Sequence, residues 1–161
     1  GSKTALMYRD FDLLAGGVPV GEAVSAWVLA GVEDRKLLRL SQMRELEGTE
    51  GGGLCKQLTL SKLRMPGEME ERDRRRMGYS DTDINGHVNN TRYADIVCDA
   101  VPWEVWDTAQ IRDFTISYHR EVPRGECFTL RRARPAEDTF YFEGEREGKS
   151  AFEAQLIFKH L

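Results

Sequence analysis

Cysteine, long apolar runs and an excess of either charge are all scarce in this sequence of 161 residues. Its three cysteines, Cys55, Cys98 and Cys127, are widely spaced, with no Cys-x-x-Cys or Cys/His pattern. That favours free thiols in a reducing compartment over a disulfide framework, and no metal site or cofactor is predicted. No apolar run is long enough to span a bilayer, and we expect no signal or transit peptide. The net charge of −4 gives no indication of nucleic-acid or membrane binding.

The length and the 40% hydrophobic content suit one domain, or one domain with a fragment of another. Residues 5–14 and 20–30 read as two strands joined by a turn at Gly16 and Gly17, the second strand being well buried. Two strands cannot bury a core by themselves. Residues 31–76 are charged and interrupted by glycine, which indicates a linker with a short helix at 42–47.

The remaining residues, 77–161, predict one strand, one long helix and then four strands separated by short turns. The first strand is expected at 77–83 and the helix from Asn89 or Asn90 to Val101, where Pro102 ends it. The four strands are expected at 112–120, 127–134, 139–146 and 149–160. Consecutive strands with short turns run antiparallel, and the apolar stripe of the helix needs a sheet face to cover it. The pattern therefore predicts an α+β domain.

Six polar residues crowd the turn before this helix: Asp81, Asp83, Asn85, His87, Asn89 and Asn90. A helix start carries unpaired N–H groups and favours negative charge. Turn formation and capping would use one or two of these residues, but they give no reason for His87. The cluster is therefore a candidate site.

Residues 80–93, SDTDINGHVNNTRY, resemble the signature of the acyl-acyl carrier protein thioesterases, which have plant and bacterial members. That family is built from two hotdog domains in tandem, each an antiparallel sheet wrapped around a helix. The resemblance implies a complete C-terminal hotdog at 77–161, and residues 8–11 and 25–29 resemble the closing strands of the N-terminal one. Segment 1–30 would then be the remnant of an incomplete hotdog. The sequence leaves open whether the chain is trimmed or these strands join another sheet.

The resemblance also implies a catalytic set of Asp83, Asn85, His87 and Glu121, the last from the Tyr-x-Arg-Glu context of residues 118–121. Many members carry cysteine directly after that glutamate, where this chain has Val122. Thioester hydrolysis also needs oxyanion donors, and the N–H groups at the helix start are the candidates: Val88, Asn89 and Asn90. Whether Asp83 or Glu121 acts as base or nucleophile stays open.

One detail of the pattern opposes this set. Glu121 is out of phase with the apolar residues of its strand, Phe114, Ile116 and Tyr118. It reaches the site only if the strand ends or bulges before Pro123, or if the site lies on the outer sheet face.

The expected function is hydrolysis of fatty acyl-acyl carrier protein to free fatty acid and carrier protein. The partner would be the acyl carrier protein, with no nucleic acid or membrane, in the cytoplasm or, for a plant, the plastid stroma. A homodimer or an intrachain pseudo-dimer would cover the open sheet edge. The alternatives are an acyl-CoA thioesterase with one functional hotdog and a non-catalytic acyl-binding fragment.

Overall fold

The computed structural model describes residues 6–31, 36–38, 60 and 62–161, and the chain divides into two compact units, Gly1–Ser61 and Lys62–Leu161. In the first unit, β1 (Leu6–Ala15) and β2 (Val18–Ala30) form an antiparallel hairpin, and β3 (Leu37–Leu38) pairs with the end of β2. The hairpin turn at Gly16 and Gly17 has positive φ at both residues, as the twist of a tight hairpin requires.

The predicted hairpin is thus confirmed, but the expectation that its second strand is well buried is wrong. Most residues of β2 are exposed, because the described part of this unit offers no second layer to cover a face of the hairpin. The helix predicted at 42–47 lies outside the described residues.

The second unit contains two helices and a five-stranded sheet. Its elements are β4 (Glu70–Arg76), a 3₁₀ turn (Tyr79–Asp81), α1 (Asn90–Asp99), α2 (Trp103–Thr108), β5 (Ala109–Tyr118), β6 (Cys127–Ala136), β7 (Thr139–Arg146) and β8 (Lys149–His160). The strand order is β4-β6-β7-β8-β5, and every neighbouring pair is antiparallel. β7 and β8 have the predicted bounds, and α1 starts where predicted. No described helix has the length and apolar character needed to cross a membrane.

The first strand of this unit was predicted in the wrong place. It is β4, within the segment read as a charged linker, while residues 77–83 turn around a bond from the Gly78 N–H to Asp81 Oδ2 (2.7 Å). In the described part of the chain β4 is an edge strand whose one partner is β6, so its charged side chains can stay in water. Glu70 also accepts from Arg132 across the pair, at 2.9 Å. Apolar alternation, the signal used for strands, is absent from such an edge.

The core lies between α1 and one face of the sheet. The helix buries Tyr93, Ile96 and Val97 at the spacing of a single helical face. The sheet buries alternate residues of β6, β7 and β8 against it: Phe128, Leu130, Phe140, Phe142, Phe152, Ala154, Leu156 and Phe158. This is the predicted arrangement of an antiparallel sheet on a central helix.

The short helix α2 follows Pro102 and was not predicted. Trp106 on this helix packs edge-on against Phe158, with ring centroids 5.2 Å apart. Trp103, the first residue of α2, is 81% exposed.

Candidate functional site

Residues 79–89, named here the signature loop, connect β4 to α1. An isolated bridge between Thr82 and Val88 and a bond from the Asp83 N–H to the His87 carbonyl (2.9 Å) close the loop on itself. Gly86 at its tip has a φ of 78°, a conformation that other residues rarely adopt. The closed loop holds the alternate residues 83, 85 and 87 close to one another.

Asp83 and Asn85 form one contacting pair. The Asn85 N–H donates to Asp83 Oδ1 at 2.8 Å, and its side-chain Nδ2 donates to Oδ2 at 3.3 Å. Desolvation alone would raise the pKa of Asp83, but the Asn85 donors, the His87 main chain and the charge of His87 together lower it. The carboxylate is therefore held ionised, and it orients the Asn85 amide.

Glu121 reaches His87 because β5 ends early. The strand stops at Tyr118, and the next two N–H groups, of His119 and Arg120, both donate to the Ala151 carbonyl at 2.8 and 3.0 Å. This double donation breaks the alternation that would have turned Glu121 away. Glu121 Oε2 then lies 3.4 Å from His87 Nδ1.

The chain after Glu121 is fixed to the signature loop by main-chain bonds. The Val88 N–H donates to the Val122 carbonyl at 2.9 Å, and His87 forms a bridge with Pro123. Val122 itself is fully buried. The His87 side chain is 25% exposed and that of Glu121 52%, so solvent reaches both members of the pair.

The three candidate oxyanion donors differ in their present partners. The Val88 N–H is bonded to Val122, and the Asn89 N–H donates to the Asp81 carbonyl at 2.8 Å. Within the described ranges, the Asn90 N–H donates no hydrogen bond. Asn89 caps α1, since its Oδ1 accepts from the Thr91 N–H at 3.0 Å. Asn90 is therefore the donor that is available without breaking a bond.

The sequence interpretation gave Asp81 no role of its own, yet this residue shapes the loop. Its carboxylate accepts from the Gly78 N–H and its carbonyl from the Asn89 N–H. The spacing of Asp81 three residues after Gly78, typical of a cap, was the available signal. No sequence pattern could have predicted that the Ala151 carbonyl accepts from two N–H groups, because a main-chain acceptor is present whatever the side chain is.

Two cavities of the second unit lie away from the signature loop. The larger, about 340 Å³, is at the C-terminal end of α1 between Arg75, Trp103 and Arg132, and the other, about 220 Å³, lies beside α2. Neither is the apolar tunnel that a thioesterase site beside His87 would need. No group of three or more His, Cys, Asp or Glu residues suited to a metal ion occurs in the part of the chain that the structure describes.

Comparison with known proteins gives these features a context. A family described as the acyl-ACP thioesterase C-terminal domain matches residues 66–159, which include the signature loop and Glu121. The chain belongs to the acyl-ACP thioesterase family. The matched residues begin ahead of β4, so the family's domain includes this edge strand of the sheet.

The curated relatives include chloroplastic plant enzymes. The oleoyl-acyl carrier protein thioesterase 2 of Arabidopsis thaliana is 28% identical over 136 residues, covering 73% of this chain and 35% of the relative. The dodecanoyl-[acyl-carrier-protein] hydrolase of Cinnamomum camphora is 44% identical over 43 residues, 27% of this chain and 11% of the relative. The chain thus spans about a third or less of these relatives.

The solved structures show the fold over a longer stretch. An acyl-ACP thioesterase from Bacteroides thetaiotaomicron matches 99% of this chain and 65% of its own, with a TM-score of 0.83 and 24% identity. The 12:0-ACP thioesterase of Umbellularia californica matches 100% and 65%, with a TM-score of 0.85 and 21% identity. The predicted hotdog fold is thereby confirmed.

Proposed function

We propose that this protein hydrolyses fatty acyl-acyl carrier protein to free fatty acid and carrier protein. Its membership of the acyl-ACP thioesterase family supports the reaction class. The observation that carries the proposal is the contact of Glu121 with His87, at 3.4 Å, between two segments that the fold brings together. A carboxylate and an imidazole held together can move protons in both directions.

In this mechanism Glu121 takes a proton from a water molecule, whose oxygen then attacks the thioester carbonyl carbon. As the tetrahedral intermediate collapses, the C–S bond breaks and the leaving thiolate takes a proton from the His87 imidazolium. The proton held by Glu121 then passes through solvent to the imidazole nitrogen that gave up its own, which restores both groups. The products are a carboxylic acid and a thiol, so water is the only co-reactant.

Asp83 and Asn85 have a different role in this proposal. Because the pKa of Asp83 is lowered and both of its oxygens accept from Asn85, it is a weaker base than an unbonded carboxylate. It orients Asn85, whose second amide N–H is left to hold the carbonyl oxygen. The Asn90 N–H, at the positive end of α1, would be the second oxyanion donor.

The proposal also sets the partner and the setting of the protein. The substrate would arrive on an acyl carrier protein, in the cytoplasm or in the plastid stroma if the protein is from a plant. The assembly would be a homodimer or an intrachain pseudo-dimer. Light scattering of the purified chain, which gives its molar mass in solution, separates these two.

The test is thiol release by the purified full chain from acyl-acyl carrier protein and, in parallel, from acyl-CoA. We expect release from the carrier protein substrate, and a loss of at least about 100-fold in kcat for Glu121→Gln and for His87→Ala. Asp83→Ala should also abolish hydrolysis, since Asn85 loses the group that orients it. Far-ultraviolet circular dichroism of each variant checks that the fold is kept.

Matched controls are available in the same unit. His119→Ala removes a histidine near the site that instead contacts Glu153, at 3.2 Å, and Glu126→Gln removes a carboxylate paired with Arg146. Both controls should keep wild-type rates. Full activity in His87→Ala would refute the mechanism. Faster release from acyl-CoA would favour an acyl-CoA thioesterase, and no release from either substrate would favour a non-catalytic acyl-binding fragment.

A further inference from the structure

Tyr118 joins two segments of the candidate site that are far apart in the sequence. It is the last residue of β5, and its hydroxyl donates to the Asn90 carbonyl at 3.1 Å, across 28 positions of the chain. Asn90 is the first residue of α1, and its N–H is the candidate oxyanion donor that, within the described ranges, donates no hydrogen bond. The bond therefore ties the end of β5 to the residue that carries this donor.

The ring of Tyr118 is held in place by packing. Tyr118 pairs in register with the buried Phe152 on the helix side of the sheet, and its ring centroid lies 5.7 Å from that of Tyr93. Tyr93 is itself buried in α1, about one helical turn after Asn90. Burial raises the pKa of Tyr118, so its hydroxyl stays protonated and remains a donor at neutral pH. The packed ring thus presents a donor at a defined point beside Asn90.

The chain that follows Tyr118 carries the proposed base. β5 ends at Tyr118, and the turn after it brings Glu121 Oε2 to 3.4 Å from His87 Nδ1. One side-chain hydrogen bond and this short turn therefore connect Asn90 to Glu121. Through them, the oxyanion donor and the base are placed with respect to the same end of the same strand.

Neighbouring bonds hold the residue before Asn90. The Asn89 N–H donates to the Asp81 carbonyl at 2.8 Å, and the Asn89 side chain caps the Thr91 N–H. Helix ends fray, so a bond to the sheet restricts Asn90 further. Because Tyr118 is 44% exposed, water can replace its bond at little cost in stability. An oxyanion donor, in contrast, acts only when it points at the place where charge develops.

We propose that Tyr118 is a positioning residue whose hydroxyl holds Asn90, so that the Asn90 N–H points at the oxyanion formed when the thioester is attacked. This inference rests on the proposed thioesterase function. It adds to that function a residue that acts through Asn90 and takes no part in the proton transfers.

The test measures the effect of Tyr118→Phe in three forms of the full chain: wild type, Asn90→Ala and Asn90→Pro. Asn90→Pro removes the N–H of residue 90 and keeps its carbonyl, whereas Asn90→Ala removes the same side chain and keeps both. Proline is accepted at the first position of a helix. Asn89 already has the extended conformation that is favoured before proline, with φ −62° and ψ 135°.

With acyl-acyl carrier protein as substrate, we expect Tyr118→Phe to lower kcat by about 3–10-fold in wild type and in Asn90→Ala, with KM unchanged. In Asn90→Pro the same change should lower kcat by less than about 2-fold, because the donor that Tyr118 positions is gone. The carbonyl that accepts from Tyr118 is still present there, so a purely structural role would give equal losses in all three forms.

Equal losses of kcat in Asn90→Ala and Asn90→Pro overturn the inference, and so does an unchanged kcat for Tyr118→Phe in wild type. Tyr141→Phe is the matched control, since the Tyr141 hydroxyl accepts from Gln155 Nε2 on the outer sheet face (2.6 Å). It should leave kcat unchanged. Urea denaturation of each variant shows whether a slower rate comes with a loss of stability, which would indicate a structural role and overturn the inference.

A second readout is independent of turnover. Calorimetry measures the binding of two fatty acyl-pantetheine analogues: a phosphinate in place of the thioester has the tetrahedral shape and negative charge of the intermediate, and an amide resembles the substrate. The inference requires Tyr118→Phe to weaken phosphinate binding by about 3–10-fold and amide binding by less than about 2-fold, and equal losses overturn it. A wild type that shows this pattern but releases no thiol would count against the proposed hydrolysis and leave the role of Tyr118 standing.

Discussion

Gly144 in β7 should be among the least replaceable residues of the second unit. A Cβ built at this position lies 2.1, 2.5 and 2.9 Å from three ring carbons of Phe152. Ordinary carbon contacts are near 3.5 Å, so the ring would have to retreat by roughly 1.4 Å. The ring cannot move by that distance, because Phe152 is fully buried and its ring contacts those of Tyr93 and Phe128.

Overpacking of this kind costs about 1–3 kcal/mol, and the entropy that alanine removes from the unfolded chain returns about 0.4–1 kcal/mol. A contact as short as 2.1 Å puts the cost in the upper half of that range, about 2–3 kcal/mol, so we expect Gly144→Ala to lower the free energy of unfolding by about 1–2.6 kcal/mol. For a unit of this size, that lowers the unfolding midpoint by about 4–8 °C per kcal/mol.

The measurement is urea denaturation of Gly144→Ala, Phe152→Leu and the double variant. Phe152→Leu makes room for the added methyl group, so the double variant should be more stable than the sum of the single effects by about 1 kcal/mol or more. Gly67→Ala is the control, because nothing lies within 4 Å of its added Cβ. A Gly144→Ala variant within about 0.5 kcal/mol of wild type, or strictly additive effects, would refute the reasoning.

Three further predictions concern the loop and helix that carry the site. The pKa of Asp83 is lowered from its ordinary 3.8, so the ionised carboxylate stabilises the folded state above that pH, and this contribution is lost as the pH falls through the lowered pKa. The difference in unfolding midpoint between wild type and Asp83→Asn should therefore be steady from about pH 5 to 8 and shrink below 3.8. Asn89→Ala removes the acceptor for the Thr91 N–H and should cost about 0.5–2 kcal/mol in urea denaturation, whereas Asn89→Asp should keep most of it. Burial, with the charges of Asp95 and Asp99, raises the pKa of Cys98 and so makes its thiol a poor nucleophile; Cys98→Ala should keep full thiol-release activity, and a large loss would contradict this prediction.

Local signals account for the parts of the fold that the sequence predicted well. β7 alternates from Phe140 to Gly144 and β8 from Phe152 to Phe158, and a tight turn at Glu147 and Gly148, both with positive φ, separates them, so their bounds followed from periodicity and turn signals. The start of α1 followed from its cap at Asn89. β4 and α2 were missed because a charged edge strand and a single turn of helix carry no apolar period.

In the candidate site, too, the local arrangement was predictable and the long-range contacts were not. Asp83, Asn85 and His87 are close in sequence, and the loop that joins them is closed by its own main-chain bonds, so their proximity was predictable. The pairing within the group was not predictable. In the structure the Asp83 carboxylate accepts from Asn85, the His87 side chain contacts Glu121, and the bond from the Asp83 N–H to the His87 carbonyl links the two pairs.

Glu121 shows why the remainder needed coordinates. The alternation of β5 placed Glu121 on the face opposite its apolar residues. It could therefore reach the site either through an interrupted strand or through a site on the outer sheet face, and the side-chain pattern did not decide between these. The choice is made by one carbonyl, that of Ala151 in β8, which accepts from two successive N–H groups and rotates the chain before Glu121. Residue identity at 151 matters little to that bond, so substitutions there should act through the packing of β8. The placement of the proposed base therefore depends on the strand register of β5 and β8 as much as on the signature itself.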